Sequence, residues 1–232
     1  MPEQITLYAA KICPYAQRVE IALIEAGAEF TRHEIDLMNK PSWFSRQVNS
    51  AGKVPALSYG GPKVPADQSS PESAKLAESL VLLEFVADLF PESKLLPKDP
   101  VLRARARFFI DAVNTKLAPG WMSFLMKGDS ADAFLSATEA IQALLPDDKK
   151  FAVSDDFTNA DAAVGPFLAR VFVATKNDFG TPGEGKKVFE ALNSPRFSKL
   201  TNYYKRIEAR ESFKSTFDAE YIKGCFVQML GK

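Results

Sequence analysis

The stretch KICPYAQR, residues 11–18, holds one of only two cysteines in this 232-residue chain. Cys13 stands directly before Pro14, where an alternating apolar pattern gives way to a helical one. Proline suits the first position of a helix, because the N–H it lacks would have no partner there in any case. A thiol at such a junction faces unpaired backbone N–H groups and the positive end of the helix dipole, and both favour thiolate over thiol. The thiolate is the form that attacks disulfides and electrophiles. The other cysteine, Cys225, lies beside Phe226 and Val227 in KGCFVQML and reads as a packing residue.

Thioredoxin-type enzymes place a second cysteine three residues after the first, but that position here is Ala16. A mixed disulfide at Cys13 must therefore be released by an outside thiol. A small, abundant cytosolic thiol is required, and glutathione fits. One histidine, His33, and no CxxC leave too few ligands for a conventional zinc site, so no metal is expected. The 29 basic residues balance 29 acidic ones, so no overall field draws the chain to nucleic acid or an anionic membrane. No apolar run approaches the length of a membrane span. The start, Met-Pro-Glu-Gln-Ile, has neither the basic nor the apolar region of a signal peptide, which points to the cytoplasm, where both cysteines stay reduced.

The elements that must position Cys13 follow from periodicity. Residues 4–9 alternate and read as a strand with Ile5 and Leu7 on one face. Ala16, Val19, Leu23 and Ala26 then fall at helical spacing up to Gly27, and a second strand is expected over 29–35. Strand, helix and strand at this length make a βαβ unit with parallel strands and a right-handed crossover. KVPALSY (53–59) reads as a short strand, 60–73 as an exposed turn-rich loop, and 76–90 as a helix with Leu76, Leu80, Leu83 and Ala87 inward. Three prolines within residues 91–100 mark a linker between a domain at 1–90 and another at 101–232.

The second domain reads as helical throughout. Asp99-Pro100 can cap and begin a helix toward Leu117, with Pro119-Gly120 interrupting it before WMSFLM. Residues 130–145 form a further helix. TNAD (158–161) opens an apolar helix, with Thr158 placed to cap it and Asp161 to return the bond as a capping box.

These residues resemble a glutathione transferase, most similar to the omega class and its fungal relatives. CPYAQR resembles the omega active-site motif. NKPSWF (39–44), KVPAL (53–57), AES (77–79) and FTNADAAVGP (157–166) follow in family order. The resemblance implies a thioredoxin-like α/β N-terminal domain with an all-helical C-terminal domain. Cys13 would be the nucleophile that forms a mixed disulfide with glutathione, the co-substrate, and Tyr15 would flank it. Lys40 would approach the glycine end. Val54 and Pro55 would present backbone groups to the cysteinyl part, through a cis peptide. Glu78 and Ser79 would take the ammonium and carboxylate of the γ-glutamyl end.

Trp121, Met122, Phe124 and Met126, with Tyr203 and Tyr204, are candidates to line an acceptor pocket between the domains, although aromatic residues at such spacing more often form core. The implied activity is thiol transfer, namely deglutathionylation, dehydroascorbate reduction or reduction of glutathionyl conjugates, in detoxification. Glutathionylated conjugates or hydrophobic and aromatic small molecules would be the partners, and the protein would be a homodimer. The alternative is a glutathione-assisted, non-catalytic carrier that holds aromatic small molecules in the apolar cleft, with glutathione only completing the site, and would not need Cys13; a scaffold on the same fold ranks last.

Overall fold

Residues Ile5–Ala9 form the strand β1, and all five side chains are buried. The one-faced burial expected from Ile5 and Leu7 is therefore replaced by burial on both faces. The computed structural model, which describes residues 3–231, shows why: the sheet order is β2-β1-β3-β4, so β1 is an inner strand. Met1 and Pro2, part of the N-terminal stretch read for a signal peptide, lie outside the described residues. The chain divides into two compact units, one ending at Leu95 and the other beginning at Leu96.

In the first unit, helix α1 (Pro14–Glu25) follows β1, and β2 (Thr31–Glu34) pairs with β1 in parallel, from Thr6↔Thr31 to Ala9↔Glu34. β2 is shorter than the expected 29–35. A short helix α2 (Ser42–Gln47) buries Phe44 against Tyr8, Ile35 and Ala56. β3 (Ala56–Tyr59) runs antiparallel to β1, and β4 (Ala74–Ala77) antiparallel to β3.

β4 corrects the sequence reading, which put Leu76 in a helix. AKLA favours a helix by local propensity, but pairing with β3 overrides it. Helix α3 consequently starts later, at Ser79–Leu89, and buries Leu82, Leu83, Val86 and Ala87 rather than a stripe beginning at Leu76.

The 60–73 segment is also more than an exposed loop. Tyr8 Oη donates to Ala66 O at 2.8 Å, and Gln4 exchanges two bonds of 3.3 Å with Val64. Ser70 and Ser73 are buried, and Lys75 Nζ donates to Ser73 O at 2.9 Å. Gly61, at φ 74, allows the return, since a Cβ there would stand 3.0 Å from Ser73 N.

The second unit is helical throughout. Asp99 caps α4 (Pro100–Ala112) by accepting from Leu102 N at 2.8 Å. The helix does not reach Leu117 in α geometry, because Val113–Leu117 forms a π-helical turn. It resumes at α5 (Ala118–Lys127) with Pro119 in the first turn, so Pro119-Gly120 opens this helix instead of interrupting it. Next come α6 (Ala131–Gln142), α7 (Asn159–Lys176), α8 (Glu184–Leu192), α9 (Ser198–Glu208), the single-turn α10 (Glu211–Lys214) and α11 (Ala219–Leu230).

α7 is the core helix, buried at every residue from Asn159 to Val171. Gly165 lets α9 approach it, since a Cβ there would come within 2.9 Å of Ile207 Cγ2. The α7 N-terminus is fixed by the capping box read from TNAD. Asp161 Oδ2 accepts from Thr158 N at 2.8 Å and Thr158 Oγ1 at 2.9 Å, and its Oδ1 accepts from Ala152 N at 2.9 Å and Tyr203 Oη at 2.7 Å.

Burial raises the Asp161 carboxyl above its ordinary pKa, while these bonds act in the opposite sense. A carboxyl whose pKa is raised by folding contributes stability that is fully present below its unfolded value, about 3.9, and is lost as pH rises through the folded value. Asp161→Ala leaves several buried donors without an acceptor and is expected to cost about 3 kcal/mol in urea denaturation. In Asp161→Asn the part of the stability–pH slope due to this carboxyl should disappear. The glutathione affinity of folded protein should be unchanged in both.

Candidate active site

β1 ends one turn before the helix that carries the thiol. Cys13 N donates to Ala10 O at 2.8 Å, closing the turn, and Cys13 adopts extended φ,ψ of −77° and 117° as the N-cap of α1. Pro14 is the first helical residue, and Gln17 N donates to Cys13 O at 3.2 Å. The side chain is thus held at the helix N-terminus, 9% exposed. Its Sγ lies 3.8 Å from Val54 O, with the thiol as donor, and the next bond, Val54–Pro55, is cis. That contact suits the neutral thiol; the helix terminus and the nearby guanidinium of Arg18 favour the thiolate.

Arg18 is fully buried on α1. Its Nη1 donates to Ser79 Oγ at 3.1 Å, and its Cζ stands 5.1 Å from the ring centroid of Tyr15. Burial lowers its pKa to about 10, while Tyr15 and Cys13 act in the opposite sense. At neutral pH it is still a cation. Ser79 is itself buried, at the first position of α3, and Glu78 before it is exposed. Glu78 has φ 70° and ψ 113°, a conformation costing a non-glycine residue about 1–3 kcal/mol. Strain of this kind accumulates where a binding geometry requires it.

The structure therefore brings Cys13, Tyr15, Val54, Pro55, Glu78 and Ser79 to one end of the sheet, where β1 leads into α1, β3 begins and β4 turns into α3. Lys40 is apart from them. It is exposed just after a turn in which Asp36 Oδ1 accepts from Met38 N at 2.9 Å, and among the described residues no hydrogen bond or ion pair joins it to Cys13 or Ser79.

The six acceptor-pocket candidates divide. Trp121, Phe124, Tyr203 and Tyr204 are buried in the helical unit. Trp121 and Phe124 stack at 6.0 Å, Phe124 stacks on Phe134 at 5.4 Å, and Tyr204 stacks on Phe172 at 4.9 Å. Burial raises the pKa of both tyrosines, with Asp161 adding to the rise at Tyr203 and Glu208 at Tyr204. Rings with such partners make the core. Met122 and Met126, one turn apart on α5, are exposed instead.

The residue without a role in the sequence reading is Arg18. It was legible only as the last letter of CPYAQR, since an arginine beside Val19 on an amphipathic helix ordinarily faces water.

Residues 12–89 match the family model for the glutathione S-transferase N-terminal domain. Over the whole chain, the fold is similar to glutathione transferase Omega 1C from Trametes versicolor, with TM-score 0.96 and 55% identity, covering 100% of this chain and 98% of that one. Omega 2S from the same organism, solved in complex with 2,4-dihydroxybenzophenone, is 44% identical with TM-score 0.92, covering 97% of this chain and 98% of that one. A probable glutathione S-transferase from Solanum tuberosum is 33% identical, covering 68% of this chain and 69% of the relative. The thioredoxin-like domain, the helical second unit and these similarities together make the chain a member of the glutathione S-transferase family, omega-like, an enzyme that uses glutathione as co-substrate.

Proposed function

We propose that the enzyme is a cysteine-dependent glutathione thiol transferase. The observation that carries this reading is the position of Cys13, at the N-terminus of α1 beside the buried Arg18 cation and within 3.8 Å of Val54 O. The Cys13 thiolate attacks the glutathionyl sulfur of a mixed disulfide, a Cys13–glutathione disulfide forms, and the substrate leaves as its thiolate. A second glutathione then attacks as thiolate, releasing oxidised glutathione and returning Cys13. With Ala16 in place of a second cysteine, the external thiol is obligatory. Deglutathionylation follows this cycle directly; for dehydroascorbate, once a glutathione has added to its carbonyl, and for ketone conjugates, the Cys13 thiolate attacks the glutathionyl sulfur and breaks its bond to carbon, the carbon group leaves as an enolate that takes a proton from water, and the second half of the cycle is the same.

In this reading Val54 and Pro55 present backbone groups to the cysteinyl part of glutathione as another strand would. Ser79, at the start of α3, takes the γ-glutamyl carboxylate, and Glu78 takes the ammonium. Tyr15 flanks the sulfur, and Lys40 reaches the glycine carboxylate. Of the acceptor-pocket candidates, the exposed Met122 and Met126 are the ones whose side chains are open to a ligand.

Carriage of aromatic molecules is the second reading, favoured by the benzophenone bound in the Omega 2S relative. A cytoplasmic homodimer acting in detoxification completes the proposal. Val81 on α3 and Val101 and Phe108 on α4 are exposed apolar residues that a second copy would cover, and no described helix is long and apolar enough to cross a membrane.

Incubation with oxidised glutathione, followed by intact-protein mass, is expected to show one glutathionyl group on the native protein and none on Cys13→Ser, with reversal by reduced glutathione. An adduct that survives in Cys13→Ser refutes the cycle, and no adduct with aromatic ligands still bound selects the carrier. Iodoacetamide should alkylate Cys13 faster than Cys225, although Cys225 is the more exposed of the two. Glu78→Gly relieves the left-handed backbone and removes the ammonium partner together. It should raise stability by about 1 kcal/mol in urea denaturation while weakening glutathione binding about tenfold by calorimetry.

A further inference from the structure

We propose that the cleft between α2 and the 60–73 segment is a second binding site, which takes a phosphate ester with a polar body. No residue of the thiol cycle or of the proposed glutathione contacts lines it.

The cleft has a volume of about 640 Å³ and is lined by Arg46, Gln47, Gln68, Ser69, Pro71 and Lys75. Sites for small molecules run to roughly 300–1,000 Å³. Lys75 pairs with Ser58 on the neighbouring strand, and the junction with α3 lies beyond Ala56↔Ala77, two pairs further along the sheet. The lining contains no carboxylate, and neither Arg46 nor Lys75 forms an ion pair among the described residues. Asp67 and Glu72, chain neighbours of lining residues, are exposed and outside it. In a chain whose 29 basic residues balance 29 acidic ones, two cations sharing a cleft without a counter-ion leave a local positive field. An anion completes it.

The charged groups are already held in place, which lowers the cost of binding. Arg46 folds back along α2, its Nε donating to Ser42 O at 3.2 Å and its Nη2 to Ser42 Oγ at 2.9 Å, so Nη1 is left for a ligand. Lys75 Nζ donates to Ser70 O, Ser73 O and Ser73 Oγ. Its three hydrogens are spent on the segment, so it contributes charge rather than a bond. Burial lowers its pKa, and an anion beside it acts in the opposite sense.

The remaining groups describe the rest of the ligand. The side-chain amides of Gln47 and Gln68 have no partner among the described residues, and Ser69 Oγ shares a 2.9 Å hydrogen bond with Ser58 Oγ. Amides and hydroxyls both donate and accept, so they match hydroxyl groups on a ligand. Pro71 alone offers an apolar surface. A guanidinium recognises phosphate oxygens well, and a second positive charge suits a group that carries more than one negative charge. An aromatic acceptor finds little here.

The test is calorimetry on the full-length protein at low ionic strength, with inorganic phosphate, glycerol 3-phosphate and phenyl phosphate as probes. Glycerol 3-phosphate is expected to bind at one site per chain, about fivefold or more tighter than the other two. Arg46 is exposed, so Arg46→Gln should fold normally and weaken this binding about tenfold, while Arg46→Lys keeps part of it. Cys13→Ser should bind glycerol 3-phosphate as the native protein does.

Absence of saturable binding by all three probes overturns the proposal, as does binding that Arg46→Gln leaves unchanged. Displacement of the probe by S-methylglutathione would put the anion in the glutathione site and is equally fatal. A preference for phenyl phosphate refutes the polar body. None of these readouts involves the thiol, so an enzyme that binds glycerol 3-phosphate as expected yet forms no adduct with oxidised glutathione would refute the transferase cycle alone.

Discussion

A guanidinium removed from water constrains how the first unit is assembled. Stripping an ion of its hydration costs several kcal/mol unless neighbouring groups replace the water. For Arg18 the replacement comes from separate elements: α1 carries the residue and the Tyr15 ring, and α3 delivers Ser79 Oγ. Ser79 reaches that point only if β4 ends at Ala77 and α3 starts two residues later, which the positive φ of Glu78 allows. The register Ala56↔Ala77 ties this junction to β3, whose approach carries the Val54 carbonyl to within 3.8 Å of the thiol. The geometry around Cys13 is thus set by strand register and by one buried charge together.

The second unit also buries an ionisable group, the Asp161 carboxyl, to a different end. Asp161 receives four hydrogen bonds, from two backbone N–H groups and two hydroxyls, so its demands are met from within the unit. It links the loop at Ala152, the start of α7 and Tyr203 on α9, and its surroundings do not change charge under ordinary conditions. Arg18 lies instead beneath the Tyr15 ring on the helix that the thiol of Cys13 caps. This contrast separates a buried ionisable group that organises a fold from one set beside the nucleophile's helix terminus, and it explains why the TNAD motif is informative about family while taking no part in the proposed cycle.

How much of this was legible in the sequence depended on how local each cause was. The start of α1 at Pro14, the Asp99 cap and the Thr158–Asp161 box are decided by a few adjacent residues, and all were readable. β4 was not, because its strand character comes from β3 rather than from AKLA. The π-helical turn at Val113–Leu117 has no residue signature, and Pro119-Gly120, which by local rule mark a break, lie inside the next helix. The anchoring of 60–73 through Tyr8 and Gln4 depends on residues 58–60 positions away in the chain. At the site, Cys13 was marked by its proline. Ser79 was chosen for position, and the strain at Glu78 and the burial of Arg18 had no local mark at all.

Near-burial of the thiol has a consequence for what the enzyme can accept. A cysteine only 9% exposed offers a narrow approach to its sulfur, with Val54 O within 3.8 Å and the α1 terminus behind it. Thiol–disulfide exchange depends on which sulfur is attacked and on access to it, so the glutathionyl sulfur must arrive already oriented. Recognition of the glutathione backbone along Val54-Pro55 and at Glu78-Ser79 would provide that orientation whatever is attached to the sulfur. Close to Cys13 on the chain, the Tyr15 ring is exposed and would meet the leaving group. On this argument selectivity for the glutathionyl half is strict, since it is built into strand register and a buried cation. Selectivity for the other half is loose, since it is left to side chains at the surface.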